Sequence, residues 1–237
     1  MNKYMYESDY STDSLRWLNK ITEINPKLSD HVELEKLQNE IIVANDAAMA
    51  YFFATEFSYK VWKMQKVILD KKDPKYAFIF AQTIPNADIK ALQNVVVDSK
   101  KFKYITKFAC FVKQADRKTL ENLIVKSKNV KYAHMYLKHV KGSDVNKFKQ
   151  IIIDSGKPRY LFELAKHLTS ESDIEMIEDL IIKSNSFTYM RLFAEKVKKA
   201  NVEKIEQAVL ATDNGPEIKK FAKYVRKSKM KQFLLVM

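Results

Sequence analysis

Apolar residues in the stretch VKYAHMYLKHVKGSDVNKFKQIIIDS (130–155) follow two successive helical patterns. Both patterns have a period close to 3.6 residues, so each predicts a helix with one apolar face. The first pattern consists of Tyr132, Ala133, Tyr136, Leu137 and Val140. The second pattern begins after Asp144 and consists of Val145, Phe148, Ile151 and Ile152. The stretch is therefore expected to form a helical hairpin.

The hairpin pattern is repeated along the chain. The stretches PKYAFIFAQTIPNADIKALQNVVVDS (74–99) and FKYITKFACFVKQADRKTLENLIVKS (102–127) each begin 28 residues before the next copy. Seven units begin at Asp46, Pro74, Phe102, Val130, Pro158, Phe187 and Gly215, with one extra residue after Pro158. The segment LEKLQNEIIVAN (34–45) suggests an eighth, looser copy. A lone hairpin cannot bury two apolar faces, whereas stacked hairpins can, so we predict an all-α fold, an α-solenoid of about seven to eight hairpins.

Helix-start signals agree with this division. An Asp or Asn that can accept hydrogen bonds from free backbone amides precedes each second helix. These residues are Asp88, Asp116, Asp144, Asp173 and Asn201. Pro74 and Pro158 suit the first turn of a first helix, because N–H groups there have no hydrogen-bond partner within the helix and proline lacks this group.

The regular register predicts one continuous repeat array over residues 46–237. Residues 1–45 differ, since SLRWLNKITEI (14–24) and HVELEKLQNEIIVA (31–44) are amphipathic and the segment is acidic, which is typical of a terminal cap. The C-terminal KQFLLVM is apolar to the last residue. We expect it to pack back on the array, and the alternative is a docking end for a partner or a second copy.

Composition favours helices with short connections. The chain has 3 Gly and 5 Pro, whereas all-β proteins need more of both in their turns. A single Cys, a polar N-terminal stretch and a longest apolar run of only AAMAYFFA (47–54) predict no disulfide, no signal peptide and no membrane span. We therefore expect a cytoplasmic protein without a membrane partner.

Positive charge is concentrated in the repeats. The net charge is +13, but residues 1–73 carry 10 basic and 12 acidic residues, while residues 74–237 carry 32 basic and 17 acidic ones. A field of this sign attracts phosphate backbones and acidic protein faces.

Basic residues recur at fixed repeat positions, which makes them candidate binding residues. Position two holds Lys75, Lys103, Lys131 and Arg159. Position nine holds Lys138, Lys166 and Lys223. Position ten holds His139, His167, Lys196 and Tyr224. Position twelve holds Lys113, Lys141, Lys198 and Arg226. We expect all of them on the polar side of the first helix, with equivalent residues about 8–10 Å apart in a stack. Such stripes could receive an acidic protein or a nucleic-acid backbone, or could serve only as a solvated face.

A tyrosine series occupies position three of the units. It consists of Tyr76, Tyr104, Tyr132, Tyr160 and Tyr189, on the same side as Phe80, Phe108, Tyr136, Leu164 and Phe193. Aromatic residues at helical spacing are usually buried, so we interpret the series as hairpin core. The alternative is a ladder on which nucleic-acid bases stack.

The organisation resembles the HEAT, armadillo and tetratricopeptide class of α-solenoids, although the unit is shorter and their diagnostic motifs are missing. The consensus KYxxxFAkxVkgaDikkLqqxIIdS over residues 46–230 is similar to short-hairpin repeats in uncharacterised proteins of bacteriophages and other large DNA viruses. This resemblance implies a helical scaffold of viral origin, and it supplies no catalytic residues.

Motifs for catalysis or metal binding are missing from the sequence. His139 and His167 share a repeat position, but no Cys, Asp or Glu set accompanies them, and Cys110 has no base fixed beside it. The three glycines are isolated, so no phosphate-binding loop is present and we predict no cofactor. The favoured function is a non-enzymatic scaffold that binds a protein partner, as a viral factor acting on host machinery. The alternatives are sequence-nonspecific DNA or RNA binding and, as the weakest, a HEAT-like groove enzyme acting on nucleic acid.

Overall fold

The computed structural model describes residues 31–225 and 228–230, and this part of the chain is helical without a β-strand. The all-α prediction is confirmed. The helices of the first repeats are α1 (His31–Ala44), α2 (Ala47–Phe57), α3 (Val61–Lys71), α4 (Pro74–Thr83), α5 (Ile89–Asp98), α6 (Phe102–Phe111) and α7 (Arg117–Lys126). Those of the later repeats are α8 (Val130–His139), α9 (Val145–Asp154), α10 (Pro158–Ala165), α11 (Glu171–Lys183), α12 (Phe187–Lys196), α13 (Val202–Leu210) and α14 (Gly215–Tyr224). The predicted N-terminal cap over 1–45 lies mostly outside the described residues, as does the KQFLLVM end.

The chain divides into two compact units, Met1–Leu123 and Ile124–Met237. In the first unit, α2 packs against α3 and α4 against α5 as hairpins, and α4 also contacts the first helices α2 and α6 of its neighbours. In the second unit, α8 with α9, α10 with α11 and α12 with α13 form hairpins, and α10 contacts both α8 and α12. Within each compact unit, each hairpin therefore packs on the next one, whereas a single continuous array over 46–237 remains a prediction.

The two apolar stripes of each hairpin form the core. Repeat position seven is almost fully buried throughout, and it is occupied by Phe80, Phe108, Tyr136, Leu164, Phe193 and Phe221. The facing stripe of the second helices is buried equally well, through Leu92, Leu120, Phe148, Ile177 and Ile205. Burial of these large side chains is the main force that holds neighbouring hairpins together.

Most predicted caps are confirmed. Carboxylate or amide oxygens of Asp88, Asp144 and Asn201 accept backbone N–H bonds at the starts of α5, α9 and α13. Asp46 is an N-cap, since its Oδ1 accepts from Ala48 N at 2.8 Å. The first helix of this unit therefore begins at position two, one residue later than in the other units.

The prediction for Asp173 is wrong. This residue lies in the first turn of α11, and Ser170 is the N-cap, with its Oγ accepting from Asp173 N at 3.4 Å. The extra residue of this unit allows the helix to begin earlier, at a serine followed by acidic residues that favour a helix start. The Asp173 carboxylate instead accepts a bond from Lys149 Nζ at 2.8 Å.

A serine motif ends the second helices and leads into the next unit. Ser99 Oγ donates to the Val96 carbonyl at 2.7 Å and accepts from Lys101 N at 3.1 Å. The following residue, Lys100, has a positive φ of 54°, so the chain turns at once into α6. Equivalent hydroxyl bonds are made by Ser127, Ser155, Ser184 and Thr212. This short turn places repeat position two in the first turn of the next first helix.

Buried polar side chains at repeat position twenty join successive hairpins, a feature that the sequence reasoning missed. Gln65 Oε1 accepts from Asp88 N and Gln93 Oε1 from Asp116 N, both at 2.9 Å. In the second compact unit, Glu178 Oε2 makes the equivalent bond to Asn201 N at 2.8 Å. The signal was a polar residue that recurs within an otherwise apolar stripe of the second helix.

Candidate functional site

The basic residues of repeat position two form what we call the start row, which consists of Lys75, Lys103, Lys131 and Arg159. They occupy the first turns of α4, α6, α8 and α10 and are exposed or half-buried. Three of them place their cation over the ring of the tyrosine that follows, with centroid distances of 5.1 Å, 5.5 Å and 6.0 Å for Lys75, Lys103 and Arg159. A helix start carries partial positive charge, so helix stability does not explain cations at this position.

The tyrosines at position three are mostly seam residues. The core interpretation is right for Tyr76, which is 7% exposed, and wrong for the half-buried Tyr104, Tyr132, Tyr160 and Tyr189. For Tyr160 and Tyr189, position three lies where one first helix packs against the preceding one. The Tyr160 ring centroid lies 5.1 Å from that of His134, and the Tyr189 centroid lies 6.2 Å from that of Phe162.

The seam rings do not form an open stacking ladder. The planes of the contacting pairs are tilted by 52° and 47° rather than parallel. The start-row cations lie over the Tyr76, Tyr104 and Tyr160 rings. A nucleic-acid base would have to displace these contacts before it could stack on a tyrosine.

The remaining basic candidates lie at or beyond the other end of the first helices, and the prediction that all of them lie on the polar side of the first helix is wrong for Lys113, Lys141 and Lys198. Lys138, His139 and Lys223 are in last turns, and Lys196 is the last residue of α12. Lys166 is the C-cap of α10, and His167 follows it. Lys113, Lys141 and Lys198 follow the C-caps and lie in the connections to the second helices. Arg226 is outside the described residues. First helices end near position ten, which separates positions two and twelve by about 15 Å along the helix axis.

The two ends of the first helices differ in the helix dipole, and two of the cations at the last turns are also paired with glutamates. Cations in the last turn of a helix are favoured by its dipole, and Lys166 and Lys196 also pair with Glu163 and Glu195 at 2.6 Å and 2.8 Å. Lys103, Lys131 and Arg159 have no carboxylate at ion-pair distance among the residues that the structure describes. Lys103 in the first compact unit, and Lys131 and Arg159 in the second, are therefore unneutralised surface cations beside aromatic rings.

Lys107 extends this surface and was missed by the sequence reasoning. It lies one turn after Lys103 on α6, and its Nζ is 5.7 Å from the centroid of the Phe78 ring on α4. Burial, together with the charges of Lys103 and Lys75, lowers the pKa of Lys107. Repeat position six is not basic in the neighbouring units, so periodicity gave no signal for this residue.

An exposed tryptophan was also missed as a surface feature. Trp62 of α3 is 67% exposed and borders two surface grooves, of about 460 Å³ and about 620 Å³. Large exposed aromatic side chains of this kind are enriched in protein–protein interfaces.

The candidate nucleophile and metal ligands do not assemble into a reactive centre within the described residues. Burial raises the pKa of the half-buried Cys110 to about 12, although the charge of Arg117 opposes the shift, so its thiol stays protonated near neutral pH. His139 and His167 are both exposed, and no group of three His, Cys, Asp or Glu side chains in the described part could hold a metal ion. No helix between residues 31 and 225 has the length and apolar character needed to cross a membrane.

Glu178 is a buried carboxylate in the joint between two hairpins. Its residue is 1% exposed, Oε2 accepts from Asn201 N, and Oε1 has no hydrogen-bond partner among the described residues, with Lys204 Nζ 3.8 Å away. Burial raises the pKa of Glu178, while the Asn201 N–H and the charge of Lys204 oppose this. The folded carboxyl therefore binds its proton more tightly than the unfolded one, whose pKa is about 4.3.

We predict that a Glu178→Gln variant gains stability relative to the wild type as the pH rises. The favourable contribution of Glu178 is present below its unfolded pKa and is lost as the pH rises through its raised folded pKa, whereas glutamine, the residue at this position in two other repeats, does not titrate. Urea unfolding between about pH 4 and about pH 7 measures the difference. Glu175→Gln, which removes an exposed carboxylate 3.9 Å from the same Lys204, is the control. A stability difference for Glu178→Gln that stays constant across this range would contradict the prediction.

No protein-family model, curated protein sequence or solved structure matches the chain significantly.

Proposed function

We propose that this protein is a non-enzymatic binding scaffold whose start row engages an acidic segment of a partner protein. The observation that carries the proposal is the set of cations beside buried or half-buried aromatic rings at the starts of the first helices. Lys75 and Lys103 belong to the first compact unit, and Lys131 and Arg159 to the second. Each unit thus offers both charge and apolar area to a partner, the combination from which specific protein interfaces are built.

A protein partner agrees better with this surface than a nucleic acid does. Single-stranded nucleic acids need aromatic faces on which bases can stack, and the rings here are tilted against neighbours or covered by cations. The exposed Trp62 offers an anchor of the type that dominates protein interfaces. The resemblance to viral repeat proteins extends the proposal to a host protein, met in the cytoplasm, as the partner.

A pull-down with the full-length chain, with and without nuclease, tests the class of partner. We expect a protein to remain bound after nuclease treatment and to bind directly when purified. Its affinity should fall modestly with salt, because an interface with apolar area depends only partly on charge. Partners that disappear after nuclease treatment, with an affinity for DNA or RNA that falls log-linearly and steeply with salt, would contradict the proposal.

A further inference from the structure

Trp62 occupies a repeat position that is polar in the other described repeats. It is the second residue of α3, at repeat position seventeen, and it is 67% exposed. The residues at the same position elsewhere are Lys90, Lys118, Asn146, Glu175 and Glu203. Core packing therefore does not explain a tryptophan at this position, and an exposed apolar group of this size marks an interaction site.

The surface around Trp62 combines exposed apolar side chains with two grooves. Ile42 of α1 is 40% exposed and lines, together with Trp62, the groove of about 460 Å³ beside α3. The groove of about 620 Å³ is lined by Trp62 together with Ile84 and Pro85. Clefts of about 300–1,000 Å³ accept bulky groups in proteins, so either groove has room for an indole ring.

Two opposite charges on this surface are suited to pairing between molecules. Lys66 and Asp70 are exposed, lie one turn apart on α3 and line the smaller groove. Neither forms an ion pair with another residue in the part of the chain that the structure describes. A lysine four residues before an acidic residue is the less favourable order for pairing within one helix. In an antiparallel pair of α3 helices with a two-fold axis near Val67, Lys66 of each copy reaches Asp70 of the other.

The distribution of charge along the chain favours contact between copies at this place. A net charge of +13 makes two copies repel each other. Residues 1–73, which include α1 and α3, carry 10 basic and 12 acidic residues, so the repulsion is weakest there. An acidic protein would instead be attracted to residues 74–237, which carry 32 basic and 17 acidic residues.

We propose that Ile42, Trp62, Lys66 and Asp70 form the interface of a two-fold dimer, in which a second copy of this chain occupies the smaller groove. The indole of each copy enters the groove of the other, and Lys66 and Asp70 form two ion pairs between the copies. In the first compact unit, the start row lies at the other end of the hairpins, because α3 leads away from Trp62 toward Lys75. The inference therefore goes beyond the proposed function, and a dimer would present two start rows to a partner.

Sedimentation velocity of the full-length chain between about 1 µM and about 200 µM tests the dimer. We expect an equilibrium between monomer and dimer, since a small interface binds weakly. Trp62→Lys copies the residue of the next two repeats, so it should fold normally, and it should raise the dissociation constant of the dimer at least about 30-fold. Asn146→Lys adds the same charge at position seventeen of a repeat in the second compact unit, and it should change the constant less than about twofold.

An exchange of charges distinguishes a second copy from any other occupant. Lys66→Glu and Asp70→Lys should each be monomeric, because each variant places like charges opposite one another in its own dimer. An equimolar mixture of the two variants should dimerise, since every charge then meets its opposite across the two-fold axis. Lys90→Glu, an exposed reversal on α5 of the same compact unit, should dimerise like the wild type. Circular dichroism verifies that each variant is folded.

Four results would overturn the inference. The first is a wild-type chain that stays monomeric up to about 200 µM. The second is a Trp62→Lys variant that dimerises as tightly as the wild type, which would place the interface elsewhere. A mixture of the charge variants that stays monomeric while the wild type dimerises would reject the two-fold pairing of Lys66 with Asp70. Growth beyond the dimer with concentration would show a head-to-tail contact instead of a closed one.

Discussion

Replacement of Phe193 by alanine is expected to lower the free energy of unfolding by about 3–5 kcal/mol. Phe193 is fully buried at repeat position seven of α12, and this helix packs against α10, α13 and α14 in the second compact unit. The deletion removes most of a large apolar side chain and leaves a cavity that the surrounding helices can fill only in part. The substitution therefore weakens the packing of α12 against each of these three helices.

Tyr189→Ala is the matched control, because it truncates an aromatic residue on the same helix. Tyr189 is half-buried in the seam and lies beside Phe162, so its truncation should cost clearly less than that of Phe193. Urea unfolding followed by far-UV circular dichroism measures both variants. Equal losses would mean that positions three and seven are equally part of the core, contrary to the burial seen here.

The helical period of the sequence was sufficient to predict the all-α fold, the hairpins and most of their caps. Apolar residues on one helix face must be buried, so the pattern that predicts the helix also predicts the core at Phe108 and Phe193. The repeat register placed Asp173 at the helix start, and it could not predict that Ser170 is the N-cap instead. The extra residue shifted the competition between two adequate capping side chains, and local backbone geometry decided it.

The candidate surface was predicted only in part. Periodicity identifies residues in equivalent places, but it does not show where the first helix ends, so Lys113 and Lys103 were assigned to one face although they lie at opposite ends. The packing of one first helix on the next decides how Tyr104 and Tyr160 are covered. The angle between the two helices cannot be read from the sequence of a single unit. Lys107 is not part of the periodic basic pattern. It is recognised as a surface cation of interest only from its contact with the Phe78 ring.

Reversal of the start row is expected to abolish partner binding while the protein stays folded. The variant combines Lys75→Glu, Lys103→Glu, Lys131→Glu and Arg159→Glu, and its affinity should fall at least about 100-fold, because each attraction to an acidic segment becomes a repulsion. Stability should change by less than about 1 kcal/mol, since three of the four replacements remove a cation–ring contact but each new glutamate is favoured by the positive end of its helix. Isothermal titration with the purified partner measures the affinity, and circular dichroism verifies the fold.

The control for this variant applies the same change of charge elsewhere. Lys113→Glu, Lys118→Glu, Lys141→Glu and Lys198→Glu reverse four exposed lysines, again two in each compact unit, and all lie outside the first helices. Because long-range attraction depends on net charge, this control should slow association but leave the dissociation rate of the complex nearly unchanged. If it abolished binding while the start-row variant bound normally, the interface would lie at the connections between the two helices of each hairpin. Equal and moderate losses in both variants, removed together by salt, would instead show that net charge alone attracts the partner and that the aromatic seam takes no part.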